Sequence, residues 1–253
     1  MLRFDRDAAV AMYESGKSPH HVAKQFGVHH KVISREIRSR GIEPRNQIAY
    51  RRRYTVNEHF FDVIDTEEKA YWLGFITADG NVSKAQLRIA LQRGDRLHLE
   101  KFAIAISSNA PIHDNVSKTP DGKPSLQSYI IVCSRPMVTS LYNCGIVENK
   151  SLVVQPFGIE HFLSLHYWRG LVDGDGWIAK HKNGKVTLGL CGSEKICKGF
   201  RLYASSLGLN ANLRLRKNTW SSEITTTKES LIMYKHLYTD ANINLDRKRE
   251  MFQ

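Results

Sequence analysis

Apolar residues along the first forty positions fall into three short blocks at helical spacing. The first runs from Arg6 to Glu14 with Ala8, Val10, Ala11 and Met12, the second from Pro19 to Phe26, the third from His29 to Arg40. This predicts three helices separated by punctuation. Ser15-Gly16-Lys17-Ser18 closes the first, and Pro19 suits an opening turn where its missing N–H is not needed. Phe26-Gly27-Val28 makes the second break and Gly41 ends the third. Periodicity then fades: Pro44, Asn46 and Arg51-Arg52-Arg53 make residues 44–64 read as a basic linker after a small all-α domain, residues 1–43.

Beyond the linker the pattern repeats. Ala70-Tyr71-Trp72-Leu73-Gly74-Phe75-Ile76-Thr77-Ala78-Asp79-Gly80 is echoed by His166-Tyr167-Trp168-Arg169-Gly170-Leu171-Val172-Asp173-Gly174-Asp175-Gly176. Downstream segments follow in the same order, among them Gln86 to Leu91 with Lys185 to Leu190, Leu141-Tyr142 with Leu237-Tyr238, and Asn149-Lys150 with Arg247-Lys248. Collinear matches at nearly constant spacing mark a duplication. Each half, residues 65–155 and 156–253, is expected to run helix, two strands, helix, two strands, helix.

Within each motif two small residues lie four apart, Gly74 with Ala78 and Gly170 with Gly174, and so share one helix face. Small residues there let two helix backbones approach closely. Asp79 and Asp175 close the two helices, each before a glycine expected in the left-handed terminating conformation. A carboxylate at a helix C-terminus opposes the macrodipole, and its double occurrence calls for a compensating cation.

Composition narrows the partner. The chain carries 37 Lys and Arg against 25 Asp and Glu, a net charge of +12, which favours polyanions such as nucleic acid. Residues 1–60 hold 12 basic against 6 acidic side chains and residues 61–253 hold 25 against 19, so both parts share the bias. An apolar share of 42% excludes disorder as the default. No run of 18 apolar residues occurs and the opening Met-Leu-Arg-Phe-Asp-Arg-Asp is too charged for a secretory signal, so a cytoplasmic protein off the membrane is expected. Cys133, Cys144, Cys191 and Cys197 lack C-x-x-C spacing and are expected to be reduced thiols.

Two resemblances follow from these residues. Val22-Ala23-Lys24-Gln25-Phe26-Gly27-Val28 with Val32-Ile33-Ser34-Arg35 resembles the helix-turn-helix of resolvase-like and repressor-like domains. It implies that the third helix enters the major groove and presents His29, His30, Lys31, Ser34, Arg35 and Arg38. Trp72 to Gly80 and Trp168 to Gly176 resemble the nine-residue motif of LAGLIDADG homing endonucleases.

The second resemblance implies an α+β fold of two pseudo-symmetric αββαββα halves, paired at the motif helices and forming a saddle over double-stranded DNA. It implies divalent metal, Mg2+ or Mn2+, on Asp79 and Asp175 with the carbonyls of Ala78 and Gly174, and Lys150 and Lys248 beside the site. Gln92 stands where relatives often carry a water-positioning residue, and Cys191 and Gly192 stand there in the second half. Thr77 replaces the first motif aspartate, which Asp173 keeps; the family does not use that position as a metal ligand.

Charged alternate strand positions expected on DNA are Arg88, Arg93, Lys180, Lys182, Lys185, Arg214, Arg216 and Lys217, with Gln86, Asn183, Thr187, Asn212 and Ser222 able to read base edges. Arg51, Arg52 and Arg53 either follow a phosphate backbone or are solvated. The leading expectation is a monomeric endonuclease that cuts a long asymmetric duplex. The alternatives are a catalytically silent transcription regulator on the same fold and an RNA-binding intron maturase.

Overall fold

The computed structural model describes residues 4–43, 54–118, 122 and 124–252. The chain divides into two compact units, Met1–Arg51 and Arg52–Gln253.

The small unit holds α1 (Arg6–Glu14), α2 (Pro19–Gln25) and α3 (His30–Ser39), within a residue or so of the pattern-based expectation. Each start is capped by its preceding side chain: Asp5 accepts from the Ala8 N–H, Ser18 from His21 and His29 from Lys31. Ala9, Tyr13, Val22, Ala23, Ile33 and Ile37 form one core.

The larger unit contains two runs of the same order. The first is α4 (Glu67–Asp79), β1 (Gly80–Ser83), β2 (Gln86–Gln92), α5 (Arg96–Ala105), β3 (Ile112–Lys118), β4 (Pro124–Cys133) and α6 (Arg135–Asn143). The second is α7 (His161–Asp175), β5 (Gly176–Lys180), β6 (Val186–Gly192), α8 (Glu194–Ser206), β7 (Asn212–Arg216), β8 (Thr219–Ile224) and α9 (Thr227–Tyr238), followed by a short α10 (Asp246–Arg249). The antiparallel sheets have matching orders, β1-β2-β4-β3 and β5-β6-β8-β7, so the expected αββαββα duplication is present.

α4 and α7 cross at their glycines. A Cβ on Gly74 would stand 2.0 Å from the Tyr167 carbonyl oxygen, and one on Gly170 would stand 2.1 Å from that of Tyr71. The two contacts are the same contact seen from either half. Residues 70–77 of α4 are all buried, so this helix needs no polar face. Arg169, at the repeat position of Leu73, is nearly fully buried yet satisfied: it donates to the carbonyls of Ile243 and Leu237 and pairs with Glu67 at 2.5 Å.

Residues 54–64 are not linker. Phe60 and Phe61 are buried in the main core, the Thr55 N–H donates to Asn109 at 2.7 Å, and the Asn57 N–H donates to the Ile106 carbonyl at 2.8 Å. Two adjacent phenylalanines are too short a run to show periodicity, which explains the difference. Arg51, Arg52 and Arg53 lie outside the described residues. No described helix is long and apolar enough to cross a membrane, and no disulfide joins cysteines among the described residues.

Candidate active site at the crossing of two helices

α4 and α7 end side by side. A Cβ on Gly174 would stand 2.3 Å from the Ala78 Cβ and 3.4 Å from Asp79 Oδ2, so the Asp79 carboxylate lies against the last turn of the opposite helix. Gly80 and Gly176 terminate the helices with φ of −72° and −92°, not in the left-handed region. They are glycines for space: a Cβ would meet the Ile76 side chain at 2.5 Å in one half and the Val172 carbonyl oxygen at 2.5 Å in the other.

The compensating cations are the two lysines. Lys150, buried in a short turn (Lys150–Leu152), donates from Nζ to the Ala78 carbonyl at 2.7 Å. Lys248, buried on α10, donates to the carbonyls of Val172, Asp173 and Gly176 at 2.5, 2.7 and 2.7 Å. Each ammonium therefore neutralises the C-terminal carbonyls of the helix bearing its half's aspartate. One expected ligand carbonyl, that of Ala78, thus already accepts from Lys150.

The charges are crowded. Burial, and after it the Asp175 charge, push the Asp79 carboxyl up to about 6 against the opposing pull of Lys248, Lys150 and Arg247. Asp175 is open to solvent on one side, yet burial of its other side still raises it, against the pull of Lys150 and Lys248. Burial brings Lys248 down to about 8, with Asp173 the strongest influence holding it charged; Lys150 is lowered by burial against the pull of Asp175 and Asp79.

The Asp79 proton competes with any cation for the same oxygens. Divalent uptake is expected to weaken roughly fourfold between pH 7.5 and 5.5, the change in ionised fraction of a group titrating near 6. A Mn2+ titration at the two pH values checks this; tighter binding at pH 5.5 would reverse the sign.

Asp95, which sequence reasoning missed, ties the halves together here. Arg247 Nε reaches Asp95 in the first half at 2.9 and 3.1 Å, and Gln92 donates to the same carboxylate at 3.0 Å. Gln92 therefore supports an inter-half ion pair. A hollow of about 220 Å³ opens beside the site, lined by Ala78, Lys150, Asp175 and Cys191 among others.

Some of the expected contact residues lie on the sheet faces turned away from the helices. Leu87, Ile89 and Leu91 point into the core, which puts Gln86, Arg88 and Gln92 on the open face, and the Arg88 guanidinium lies 4.8 Å from the Tyr129 ring centre. On the second sheet Lys180, Arg214 and Arg216 are exposed at β5 and β7. A hollow of about 520 Å³ is lined by His181, Lys182, Asn183, Lys185, Thr187, Arg214, Glu223 and Thr225.

Four expected strand residues sit in turns instead: Arg93 follows β2, Lys182 and Lys185 flank Gly184 with its φ of +78°, and Lys217 adopts a φ of +53° between β7 and β8. Ser222 faces inward, fully buried opposite Leu190, so it reads nothing outside. Trp177, which belongs to no sequence motif, lies across Gly189 on the open face, where a Cβ on that glycine would meet its indole at 2.7 Å.

In the small unit His29, Lys31, Arg35 and Arg38 are exposed on or just before α3, whereas the Ser34 hydroxyl donates back to the His30 carbonyl. His30 stacks on His20 at 4.1 Å.

This architecture is found in known proteins. The homing endonuclease I-WcaI, bound to its DNA recognition sequence, is similar with a TM-score of 0.52 and 15% identity over 80% of this chain and 90% of that one. Full-length DUF199/WhiA from Thermatoga maritima is similar with a TM-score of 0.50 and 18% identity over 76% of this chain and 64% of that protein. At such identities the likeness is one of fold, and the larger unit has the LAGLIDADG fold. Residues 163–237, within the second half, match the model of the LAGLIDADG-like domain family, and the first half repeats the element order of the second. No curated protein sequence matches the chain.

Proposed function

We propose that this chain is a divalent-metal-dependent endonuclease that hydrolyses both strands of a long, asymmetric double-stranded DNA site. The observation that carries the reading is the meeting of Asp79 and Asp175 at the ends of two helices packed across a pseudo-twofold, each helix end neutralised by a lysine.

The donor set suits Mg2+ or Mn2+, which take hard oxygen ligands and usually retain water. Asp79 and Asp175 would hold the ions, with the Gly174 carbonyl as a further oxygen and the Ala78 carbonyl able to join only through the lone pair that Lys150 leaves open. Bound there, such ions lower the pKa of an attacking water and stabilise the leaving oxygen of a phosphodiester. Among the described residues no cluster of three or more His, Cys, Asp or Glu side chains is placed to hold a metal, and water and phosphate oxygens of the DNA would complete the set around the two aspartates. The chain's own groups orient the DNA: Lys150 and Lys248 bring positive charge to the scissile region, and Arg88, Lys180, Lys182, Lys185, Arg214, Arg216 and Lys217 meet the flanking backbone.

Because the two halves differ in sequence, one monomer reads two different half-sites. The small unit acts as a helix-turn-helix, with α3 in the major groove extending the contact on one flank and raising affinity through effective concentration. A duplex with a wide major groove is the fitting target, since A-form RNA does not admit such a helix.

The test is incubation of the full chain with a randomised duplex library and Mg2+, followed by sequencing of the new ends. Recurrent breaks within one long non-palindromic sequence are expected. Specific retention of duplexes without breaks would assign the chain to regulation by binding instead.

A further inference from the structure

The two motif helices match at their ends but differ two residues earlier, where α4 has Thr77 and α7 has Asp173. Thr77 satisfies itself within its own helix, its hydroxyl donating to the Leu73 carbonyl at 2.7 Å. Asp173 is buried, and its carboxylate collects three donors: Tyr238 OH at 2.6 Å on Oδ1, then Tyr71 OH and the Leu245 backbone N–H, both at 2.7 Å, on Oδ2. Packing of the helix pair does not require a carboxylate there, because the first half closes with a threonine at the equivalent place. A buried carboxylate is costly unless fully bonded, so its retention points to what it holds.

What it holds is the start of α10. Leu245 caps that helix, and its carbonyl accepts from the N–H groups of Lys248 and Arg249. The segment is thus pinned to the last turns of α7 at two points: its backbone by Asp173, and the Lys248 ammonium by three carbonyls. Arg247, between them, reaches Asp95 of the other half. Among the described residues the first half has no motif-helix carboxylate in this role; there Glu148 accepts from the Lys84 N–H and Tyr142, and Lys150, after Asn149 at φ 54°, donates to one helix-end carbonyl.

We propose that Asp173 is a positioning residue that fixes Lys248 and Arg247 at the active site, and that the resulting inequality of the two halves makes the chain cut its two DNA strands at unequal rates. The strand facing Lys248 is cut first, leaving a nicked intermediate. This rests on the nuclease reading above, but the anchoring itself does not.

Two variants test it in the full chain. Asp173→Thr installs the residue the first half uses, and Asp173→Asn keeps the volume while presenting only one carbonyl-type oxygen to three donors. Hydrogen–deuterium exchange without DNA is expected to accelerate at least tenfold at residues 245–249 in both variants, with the amides of 145–152 unchanged. On a supercoiled plasmid bearing the selected site, with Mg2+, wild type passes through the nicked form. The variants slow the first cut at least tenfold, leave the second within twofold, and keep DNA affinity within twofold. Unchanged exchange at 245–249 overturns the anchoring whether or not the chain cuts DNA. Faster exchange with both cuts slowed alike overturns the strand inequality, and a wild type that cuts no duplex removes the nuclease reading while exchange still decides the anchor.

Discussion

Gly170→Val is expected to abolish folding of the larger unit, and Gly74→Val to do the same. At Gly170 a Cβ would stand 2.1 Å from the Tyr71 carbonyl oxygen and 2.7 Å from the Phe75 nitrogen, and both obstacles are backbone. A side-chain tip can rotate away, but a helix backbone yields only if the helices separate, which would part α4 from α7 along the buried seam that joins the halves. Overpacking of this kind costs about 1–3 kcal/mol where neighbours can adjust and more where they cannot. Domains hold a net stability of only about 5–15 kcal/mol, so a cost beyond about 5 kcal/mol, as two backbone clashes at one site imply, takes from a third to all of it. Alanine at either position should already lower Tm by about 10 °C. Gly94→Ala and Gly158→Ala, where a Cβ meets nothing within 4 Å, are the controls and should stay within about 0.5 kcal/mol of wild type. Thermal melts of the four alanine variants decide it; helix-crossing variants that melt with the controls would contradict the crossing geometry.

Asp79→Asn should do two opposite things. It should reduce strand cleavage about 10³-fold, since losing a metal-holding carboxylate forfeits several kcal/mol of transition-state charge stabilisation. It should also make the metal-free protein more stable. The folded-state pKa of about 6 lies above the unfolded value, so the folded chain binds this proton more tightly and loses stability as pH rises from about 4 to 6. Above pH 6 the penalty is complete, on the order of 2–3 kcal/mol, and the neutral asparagine does not incur it. At pH 8 the variant should melt about 5 °C above wild type, whereas at pH 4 the two should nearly coincide. Asp175→Asn should lose cleavage similarly with a smaller gain in stability, because its carboxyl is open to solvent on one side. Melts at both pH values together with cleavage of the selected site check the pair; a variant less stable than wild type at pH 8 would mean that Asp79 is a structural carboxylate.

Much of this was legible along the chain because duplication leaves a signal that local propensity does not. The 96-residue spacing between Asp79 and Asp175 located both helices, their small-residue seam and the lysines that follow each half. The order of elements along each half followed from the repeat as well, whereas the order of strands within each sheet did not. What stayed hidden was non-local. The donors to Asp173 come from Tyr71, Tyr238 and Leu245, separated from it by 102, 65 and 72 positions, and no window of sequence links them. Gln92 and Arg247 meet only through Asp95.

Register errors explain other differences. Ser222 was expected outward, but β8 pairs with β6 so that Ser222 lies opposite Leu190 on the core side, and in a strand one position decides the face. Gly80 and Gly176 carry the expected residue type for a different reason, close approach of backbone rather than a left-handed turn. The Phe60-Phe61 pair was assigned to a linker because a run so short has no period to read.

The central claim is that Asp79 and Asp175 jointly hold divalent metal on bound DNA. The direct measurement is Mn2+ binding by electron paramagnetic resonance in complexes with the selected duplex, comparing wild type with Asp79→Asn and Asp175→Asn. Tight uptake by the wild-type complex that is lost in each single variant, with DNA still bound, is the predicted result. Equal Mn2+ uptake by all three complexes would contradict it.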